Sequence, residues 1–370
     1  MKLTAGHRGD DVRNDCYVEL TPGNPQIRIN SAVGAVYRRT IEAEVAAALK
    51  QYAPEGVGAI VEDFGAFGWC LEARVEAAAR LLTGSSSQKP TTESQSSKSV
   101  TRRTRLYLPG NTPKFFINAK LYGADAVILD LEDAVPEAEK DEARVLVCHA
   151  LRKVDFGSSE RMVRINSGAL GQADLAAVSE AGADSVLAPK VESAAAIEAL
   201  GSPLPVVALI ESAKGVANAM EIASARGVVA LAIGVEDYLA DTRGSRENPH
   251  AMAFAYGQIV NAARSAGISP LASVFADIDD LVGFRAEVER MISLGFDGVG
   301  CLHPSQVPIA LQAFMPSDEE VSQARRILEA FESHGGALSV DGRMVDAPVA
   351  ARARKLLERA QATLPDWRLA

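Results

Sequence analysis

Two apolar segments of this sequence each end in acidic residues, and the placement of those acids suggests a metal site. The segment 206–210 is followed by Glu211, and the segment 228–233 is followed by Gly-Val-Glu-Asp, which ends at Asp237. Short apolar runs that alternate with helices are typical of buried parallel strands. If the two strands are neighbours, Glu211 and Asp237 converge, and two carboxylates with water suit a hard divalent cation such as Mg²⁺. The alternative is that each acid caps the helix after its strand.

The position of these acids depends on a pattern that repeats from Arg102 onward. An apolar run, a polar tip and a helical stretch recur, and eight such runs within roughly 200 residues match the count and size of a (β/α)₈ barrel. We therefore predict an α/β fold with a TIM barrel over residues 102–315. The active site of such a barrel lies at the C-terminal ends of its strands. The predicted runs are 106–108, 126–131, 162–165, 185–188, 206–210, 228–233, 272–275 and 298–302.

The other strand tips carry charged groups. Arg164 ends the third run, where a guanidinium can clamp a carboxylate with two hydrogen bonds; the alternative is a salt bridge to Glu132 or Asp133 after the second run. Those two acids are candidates for orienting water or transferring protons, or they balance the cations. Lys190 is predicted to act as an electrophile toward an enolate or carboxylate, with a Schiff base as the weaker alternative. We interpret His303, at the last tip, as a structural hydrogen-bonding residue.

The rest of the chain divides into three parts. Residues 1–84 contain three short strand candidates and two helices and are predicted to form a small α+β domain. Residues 85–101 are dominated by serine and threonine and are predicted to be a flexible linker. Residues 316–370 comprise a helix, a hairpin-like segment and a last helix, which we expect to form a lid or an oligomer contact.

Composition narrows the function classes. The net charge of −10 argues against a nucleic-acid or anionic-membrane surface. No secretory signal is visible and no run reaches the ~18 apolar residues of a membrane span. The four cysteines are far apart in sequence, which predicts reduced thiols and a cytoplasmic protein.

The combination of a cation, a carboxylate clamp and proton-transfer groups suits one kind of chemistry. It fits making or breaking a carbon–carbon bond next to a carbonyl group. The cation would chelate an α-oxo acid and stabilise the oxyanion.

Residues 103 to about 360 resemble the citrate lyase beta chain and its relatives, the malyl-thioester lyases and the HpcH/HpaI aldolases. Many motifs occur in one order, which makes the resemblance specific. They are RTRLYLPGN (103–111), GADAVILDLEDAV (123–135), KxxAR (140–144), VRIN (163–166), PKVE (189–192), ALIESAKGV (208–216), GVED (234–237), LGFDG (294–298) and HPSQV (303–307).

This resemblance implies a TIM barrel with Mg²⁺ on Glu211 and Asp237 and with Arg164 bound to the carboxylate of an oxo acid. It also implies that the CoA-like arm of a thioester lies near Arg103 and Lys114, and that the protein is a homo-oligomer, a trimer or hexamer. The expected activity is Mg²⁺-dependent cleavage of a citryl-CoA-like or malyl-CoA-like 3-hydroxyacyl thioester to an acetyl thioester and an α-oxo acid such as oxaloacetate. The alternatives are a class II aldolase, a malate-synthase or thioesterase type of enzyme, and a non-enzymatic assembly subunit.

Asp346 is the candidate base of the C-terminal tail. A base that meets the substrate only after water is excluded is commonly supplied by a mobile lid. The MVD sequence also resembles the position of the family's lid aspartate, which in some members is lent by a neighbouring subunit. The alternative is a helix cap, because Asp346 precedes Pro348 at the start of the last helix.

Residues 1–84 resemble the acyl carrier (gamma) chain of citrate lyase through the motifs INSAV (29–33), VEDFGA (61–66) and ARVEA (73–77). In that family a serine before the first strand holds a CoA-derived prosthetic arm. Here Arg13 stands at the comparable position. The sequence therefore predicts a carrier-like domain without an attached arm.

Overall fold

The computed structural model describes residues 3–84, 100–248 and 250–360. The first of these parts is a four-stranded sheet with two helices, which confirms the predicted small α+β fold. The strand order is β1–β2–β4–β3, with β3 parallel to β4 and the other pairs antiparallel. The elements are β1 (Thr4–Ala5), β2 (Cys16–Pro22), β3 (Ile27–Ser31), α1 (Gly34–Tyr52), β4 (Val57–Asp63) and α2 (Gly68–Thr83).

The central part is a closed parallel barrel, as the eight apolar runs predict. Within the described ranges, eight strands close it in the order β5 to β12, and β12 pairs with β5. Side chains from alternate positions fill the barrel interior, among them Ile128, Met162 and Leu271. The strands are β5 (Thr104–Pro109), β6 (Ala126–Asp130), β7 (Glu160–Arg164), β8 (Ser185–Ala188), β9 (Val206–Ile210), β10 (Val228–Ile233), β11 (Ser269–Val274) and β12 (Gly298–Cys301).

Helices follow most barrel strands and cover them from outside. After β9 the sequence predicts one short helix over 215–225, but the structure has two, interrupted at Asn218. The Asn218 side chain donates to the Glu192 carbonyl at 2.8 Å, a side-chain-to-backbone bond of the kind that competes with regular helix. The helices are α3 (Lys140–Lys153), α4 (Gly168–Ala181), α5 (Ala194–Leu200), α6 (Ala213–Ala217), α7 (Ala219–Ser224), α8 (Val235–Thr242), α9 (Ala253–Ser265), α10 (Leu281–Leu294) and α11 (Gln306–Phe314).

The C-terminal tail forms a helical arm rather than a lid over its own barrel. It comprises α12 (Asp318–His334), a hairpin of β13 (Leu338–Val340) and β14 (Arg343–Val345), and α13 (Ala347–Ala360). The last turns of α13 line a cavity of about 550 Å³ together with Arg102 and Arg103, which precede β5. Those residues mark the N-terminal end of the barrel, so the end of α13 packs away from the mouth of its own barrel. The helices α12 and α13 pack mainly on each other and on the hairpin, which leaves the arm projecting from the barrel.

Three further features were considered from the sequence. Most of the predicted linker, residues 85–99, lies outside the described residues. The four cysteines are all unpaired and buried, as the sequence predicts. Across the parts of the chain that the structure describes, no helix is both long and apolar enough to cross a membrane.

Candidate functional site

Glu211 lies directly after β9 at the C-terminal end of the barrel and is 6% exposed. One of its oxygens accepts the backbone N–H of Lys190 at 2.8 Å. Burial, together with the charges of Glu132 and Asp237, raises the pKa of Glu211 to about 7. A cation near this carboxylate would relieve the repulsion between the acids.

Asp237 lies in the first turn of α8, after the neighbouring strand β10, and is exposed. The two strands pair in parallel with Ile210 opposite Ile233, so the segments carrying Glu211 and Asp237 leave the barrel side by side. Between them, a Cβ on Gly234 would lie 2.6 Å from a Glu211 oxygen. Only glycine therefore leaves room for this carboxylate.

The structure decides against helix capping for Glu211. Ser212 is the N-cap of α6, and its hydroxyl accepts the Gly215 N–H at 3.1 Å. Gly234 occupies the cap position of α8, and no side chain accepts a capping bond there. Asp237 therefore keeps only the general advantage of an acid in a first helical turn.

Arg164, at the end of β7, is held by Asp130, at the end of β6. Its Nε and Nη2 atoms donate to the two Asp130 oxygens at 2.7 and 2.5 Å. Its Nη1 atom lies 3.0 Å from Glu132 and 3.1 Å from Asp133. The salt bridges considered from the sequence are thus present. Asp130 fixes one edge of the guanidinium, and the Nη1 edge faces the acids of the barrel mouth.

Glu132 lies between two cations at the barrel mouth. Its carboxylate is within 3.0 Å of Arg164 and 2.9 Å of Lys190, yet neither buried oxygen accepts a well-aligned hydrogen bond among the described residues. Burial raises the pKa of Glu132, and the two cations oppose that shift. The site thus holds an incompletely satisfied carboxylate ready to bond to another group.

Lys190 has a left-handed backbone, with φ of 54°, and its ammonium contacts Glu132. This contact raises the pKa of Lys190. A Schiff base requires the neutral amine, so the environment favours the electrophilic role over covalent catalysis.

These side chains fit a hard divalent cation. Both Glu132 oxygens are buried without a well-aligned hydrogen bond among the described residues, and Gly234 leaves room beside the Glu211 carboxylate. Magnesium suits such an open set, because it keeps several waters and takes its remaining ligands from one or two carboxylates and from the substrate.

Four other predicted or considered residues do not contact this group of acids and cations among the described residues. Arg103 precedes β5 and binds Asp125 through two hydrogen bonds of 2.8 and 2.9 Å. It therefore lies at the barrel end opposite the mouth, and its contact with a CoA-like arm stays a prediction. Lys114 is exposed after β5, on the mouth side.

The His303 imidazole bonds to the Ser305 hydroxyl at 2.8 Å. Asp346 accepts the Val349 N–H at 3.1 Å at the start of α13, which is the cap alternative.

Two residues near the site were missed by sequence reasoning. The ring of Tyr107 lies under the Arg164 guanidinium, with 5.5 Å from the central carbon to the ring centroid. The buried Lys140 ammonium donates to the Leu131 and Glu132 carbonyls at 2.9 and 2.6 Å. The alternation of β5 could have placed Tyr107 inside the barrel, whereas no local pattern points from Lys140 to the loop before it.

Residues 103–304 match the HpcH/HpaI aldolase/citrate lyase family, which is more than half of the chain. The chain belongs to this family. The chain is 38% identical to the citrate lyase subunit beta of Leuconostoc mesenteroides subsp. cremoris, and the match covers 70% of this chain and 94% of the relative. The (3S)-malyl-CoA thioesterase of Cereibacter sphaeroides is 40% identical over 70% of this chain and 95% of the relative. The chain is accordingly a carbon–carbon lyase, and the non-enzymatic alternative is wrong.

Solved structures and a second match agree with the architecture. The crystal structure of CitE from Mycobacterium tuberculosis with magnesium, acetoacetate and coenzyme A has a TM-score of 0.64 and 37% identity, covering 72% of this chain and all of that one. The citrate lyase beta subunit from the same organism, with oxaloacetate and magnesium, has a TM-score of 0.53 and 35% identity, covering 59% and 99%. Residues 6–82 match the delta subunit of malonate decarboxylase, which supports the resemblance of the first domain to an acyl carrier protein.

Proposed function

We propose that this lyase cleaves a citryl-CoA-like or malyl-CoA-like 3-hydroxyacyl thioester to an acetyl thioester and an α-oxo acid such as oxaloacetate. The observation that carries the proposal is the group of acids at the barrel mouth, where the buried Glu211 accepts the Lys190 N–H and Glu132 contacts both Arg164 and Lys190. Related structures contain magnesium with oxaloacetate and magnesium with coenzyme A.

Glu211 and Asp237 are the residues that would hold Mg²⁺. When bound, the cation would withdraw electron density from the carbonyl of the oxo acid and favour the oxyanion. The protein groups then account for the rest of the site. Glu211 is positioned by the Lys190 N–H, and Gly234 leaves the space its carboxylate occupies.

Arg164 is proposed to bind the carboxylate of the oxo acid. Asp130 holds its Nε and Nη2 atoms, so the guanidinium does not need to be ordered when substrate arrives. The incoming carboxylate would replace Glu132 or Asp133 at Nη1. Lys190 would supply positive charge toward the enolate, while Glu132 and Asp133 are the candidates for proton transfer.

The bond changes of the proposed reaction balance within the substrate. A base removes the proton of the 3-hydroxyl group, the carbonyl forms, and the adjacent carbon–carbon bond breaks. The electron pair passes to the thioester enolate, which takes up a proton to become the acetyl thioester. We propose Asp346 as the base, supplied by a neighbouring copy in a trimer or hexamer, because within one chain α13 leads to the opposite end of the barrel.

The remaining recognition is proposed from position and charge. Lys114, exposed on the mouth side, is retained as a contact for the CoA arm. Arg103 pairs with Asp125 at the other barrel end and is given no role in this proposal. The net charge of −10 supports a small-molecule substrate without a nucleic acid or membrane partner, and the four free thiols support a cytoplasmic location.

Thioester hydrolysis is the second candidate, because one relative is a (3S)-malyl-CoA thioesterase. Both reactions can be followed together. Purified protein is incubated with citryl-CoA or malyl-CoA, with Mg²⁺ or with a chelator, and the oxo acid, acetyl-CoA and free CoA are quantified. The lyase gives equal amounts of oxo acid and acetyl-CoA only with Mg²⁺. Free CoA without acetyl-CoA would instead identify the hydrolase, and no turnover of either thioester would contradict the proposal.

A further inference from the structure

We propose that the N-terminal domain is a permanently docked element that positions Glu132 for the reaction. The catalytic role of Glu132 rests on the proposed function. The docking of the domain and the positioning of Glu132 are argued from separate contacts. These contacts run from the domain to the first turn of α3, and from α3 to the loop that carries Glu132.

The first contact is a buried guanidinium that joins the two domains. Arg74, on α2, has no exposed surface. It donates to both Asp15 oxygens at 2.9 and 2.8 Å and to the carbonyl of Asn111, in the loop after β5, at 3.0 Å. Its third nitrogen lies 3.5 Å from Glu142 of α3. Undocking would break the contacts of Arg74 with Asn111 and Glu142, whereas its pair with Asp15 lies within the domain.

The second contact holds the start of α3. His7 bonds to Asp15 through Nδ1 at 3.0 Å and to Glu139 through Nε2 at 3.1 Å. The Asn111 amide also donates to Glu139, at 2.7 Å, and the Gly6 N–H donates to Glu142 at 3.1 Å.

Although His7, Glu139 and Glu142 are close enough to share a metal ion, protein groups already satisfy them. The Asn111 amide serves Glu139, and Arg74 neutralises Glu142. We therefore interpret the cluster as a hydrogen-bonded link between domains.

The last step leads from α3 to the site. Lys140 follows Glu139, and its ammonium donates to the carbonyls of Leu131 and Glu132. The backbone of Glu132 is thus tied to the helix turn that the N-terminal domain holds. Its carboxylate then meets Arg164 and Lys190.

Further contacts keep the domain from rotating about this link. The His149 imidazole of α3 bonds to Glu76 of α2 at 2.7 Å, with both side chains largely buried. The rings of Trp69 and Phe116 stack with centroids 6.3 Å apart. Contacts at several places along the interface fix an orientation as well as a position.

The test uses His7→Ala in the full-length protein, because His7 is half-buried and its loss spares the Arg74 pair. Hydrogen exchange of the 131–139 loop should become faster than in the wild type, with exchange of the barrel strands unchanged. The kcat for thioester cleavage should fall about tenfold, because small displacements at a reacting centre are costly. Arg13→Ala is the matched control, since Arg13 is exposed in the same segment and, among the described residues, donates only to the carbonyls of Asp10 and Val12.

A double-mutant cycle separates positioning from general destabilisation. If His7 acts through Glu132, adding His7→Ala to Glu132→Gln should cause little further loss of kcat. Additive losses, or loop exchange equal to that of the wild type, would overturn the inference. If the wild type cleaves no thioester, the proposed function fails, yet the exchange measurement still decides whether the domain holds the loop.

Discussion

At the residue scale, the chemistry of this lyase depends on how acids and cations are distributed around the barrel mouth. Arg164 and Lys190 neutralise Glu132 from two sides. Glu211 accepts a backbone N–H and forms no ion pair among the residues that the structure describes, and its pKa is raised by burial and by its acidic neighbours. The site thus contains two kinds of carboxylate. Glu132 is paired with cations, whereas the negative charge of Glu211 would be stabilised by a bound cation.

Replacing the proposed magnesium ligands should weaken Mg²⁺ binding without unfolding the protein. For Glu211→Gln and Asp237→Asn we expect at least about a tenfold loss of Mg²⁺ affinity in titration calorimetry, because a hard cation prefers charged oxygen ligands. Glu236→Gln is the control, since this neighbouring acid already pairs with Arg246. Unchanged affinity in both ligand variants would show that the cation binds elsewhere.

The Glu211→Gln variant should also be at least as stable as the wild type at pH 8 without Mg²⁺. When the pKa of a carboxyl is raised in the folded state, the free energy of unfolding decreases as the pH increases from the ordinary pKa to the folded value, here about 7. The neutral amide removes that loss, while its oxygen can still accept the Lys190 N–H. A lower Tm than wild type, measured in chelator, would contradict this account of the repulsion.

Lys190 should not form a covalent intermediate. Its contact with Glu132 raises its pKa and favours the ammonium form, which cannot attack a carbonyl. Treatment with oxaloacetate and borohydride should leave the intact mass unchanged. A reduced adduct that disappears in Lys190→Met would establish a Schiff base instead.

At the scale of elements, the loop after β6 and the first turn of α3 connect the N-terminal domain to the site. The connection contains a titratable group, His7, which faces Asp15 and Arg74 of its own domain and Glu139, the residue before α3. The bond to Asp15 raises the pKa of His7, while burial and Arg74 oppose the shift. The link is consequently strongest when His7 is protonated.

The raised pKa of His7 predicts a pH-dependent contribution to the stability of the protein. A group whose folded pKa lies above 6.5 gives its full stabilisation below that pH and loses it as pH rises through the folded value. The Tm advantage of the wild type over His7→Gln should therefore be larger at pH 6 than at pH 8.5. Parallel Tm curves for the two proteins would show that the charge of His7 does not contribute.

At the scale of the whole molecule, the C-terminal arm and the N-terminal domain are the parts whose roles differ most from simple expectation. The arm leads away from the mouth of its own barrel. Within one chain, Asp346 caps α13. A catalytic Asp346 therefore requires a neighbouring copy, and the two roles make opposite predictions for mixed oligomers.

Complementation between inactive variants tests this arrangement. Asp346→Asn keeps a good helix cap, so its stability should match the wild type while its kcat falls strongly. Co-expressed with Glu211→Gln, it should regain part of the activity, because one mouth in the mixed oligomer has both intact residues. Full activity of Asp346→Asn alone would show that Asp346 acts only as a helix cap. A lack of recovery in the mixture would show that Asp346 does not act in the active site of a neighbouring copy.

The N-terminal domain should carry no prosthetic arm. Arg13 occupies the position where the resembling carrier family has its serine, and the docked domain has a positioning role to account for its presence. Intact mass spectrometry of protein from its native host should give the mass of the bare chain. An added CoA-derived group on residues 1–84 would show that the domain is a carrier after all.

The sequence by itself determined the barrel, its eight strands and the acids and cations at their tips. Apolar runs and their polar ends are local signals, and residues at the ends of parallel strands must meet at one edge. The prediction of the tip residues Glu211, Arg164 and Lys190 needed nothing more than this regularity.

Only the tertiary structure decided which groups pair and where the flanking parts lie. Arg164 binds Asp130 across 34 residues of sequence, and His7 reaches Glu139 across 132. No sequence period encodes such pairs, because they depend on how whole elements dock. The same reason applies to Arg103 and to the tail that carries Asp346, because the end of the barrel that each lies near is fixed only by packing.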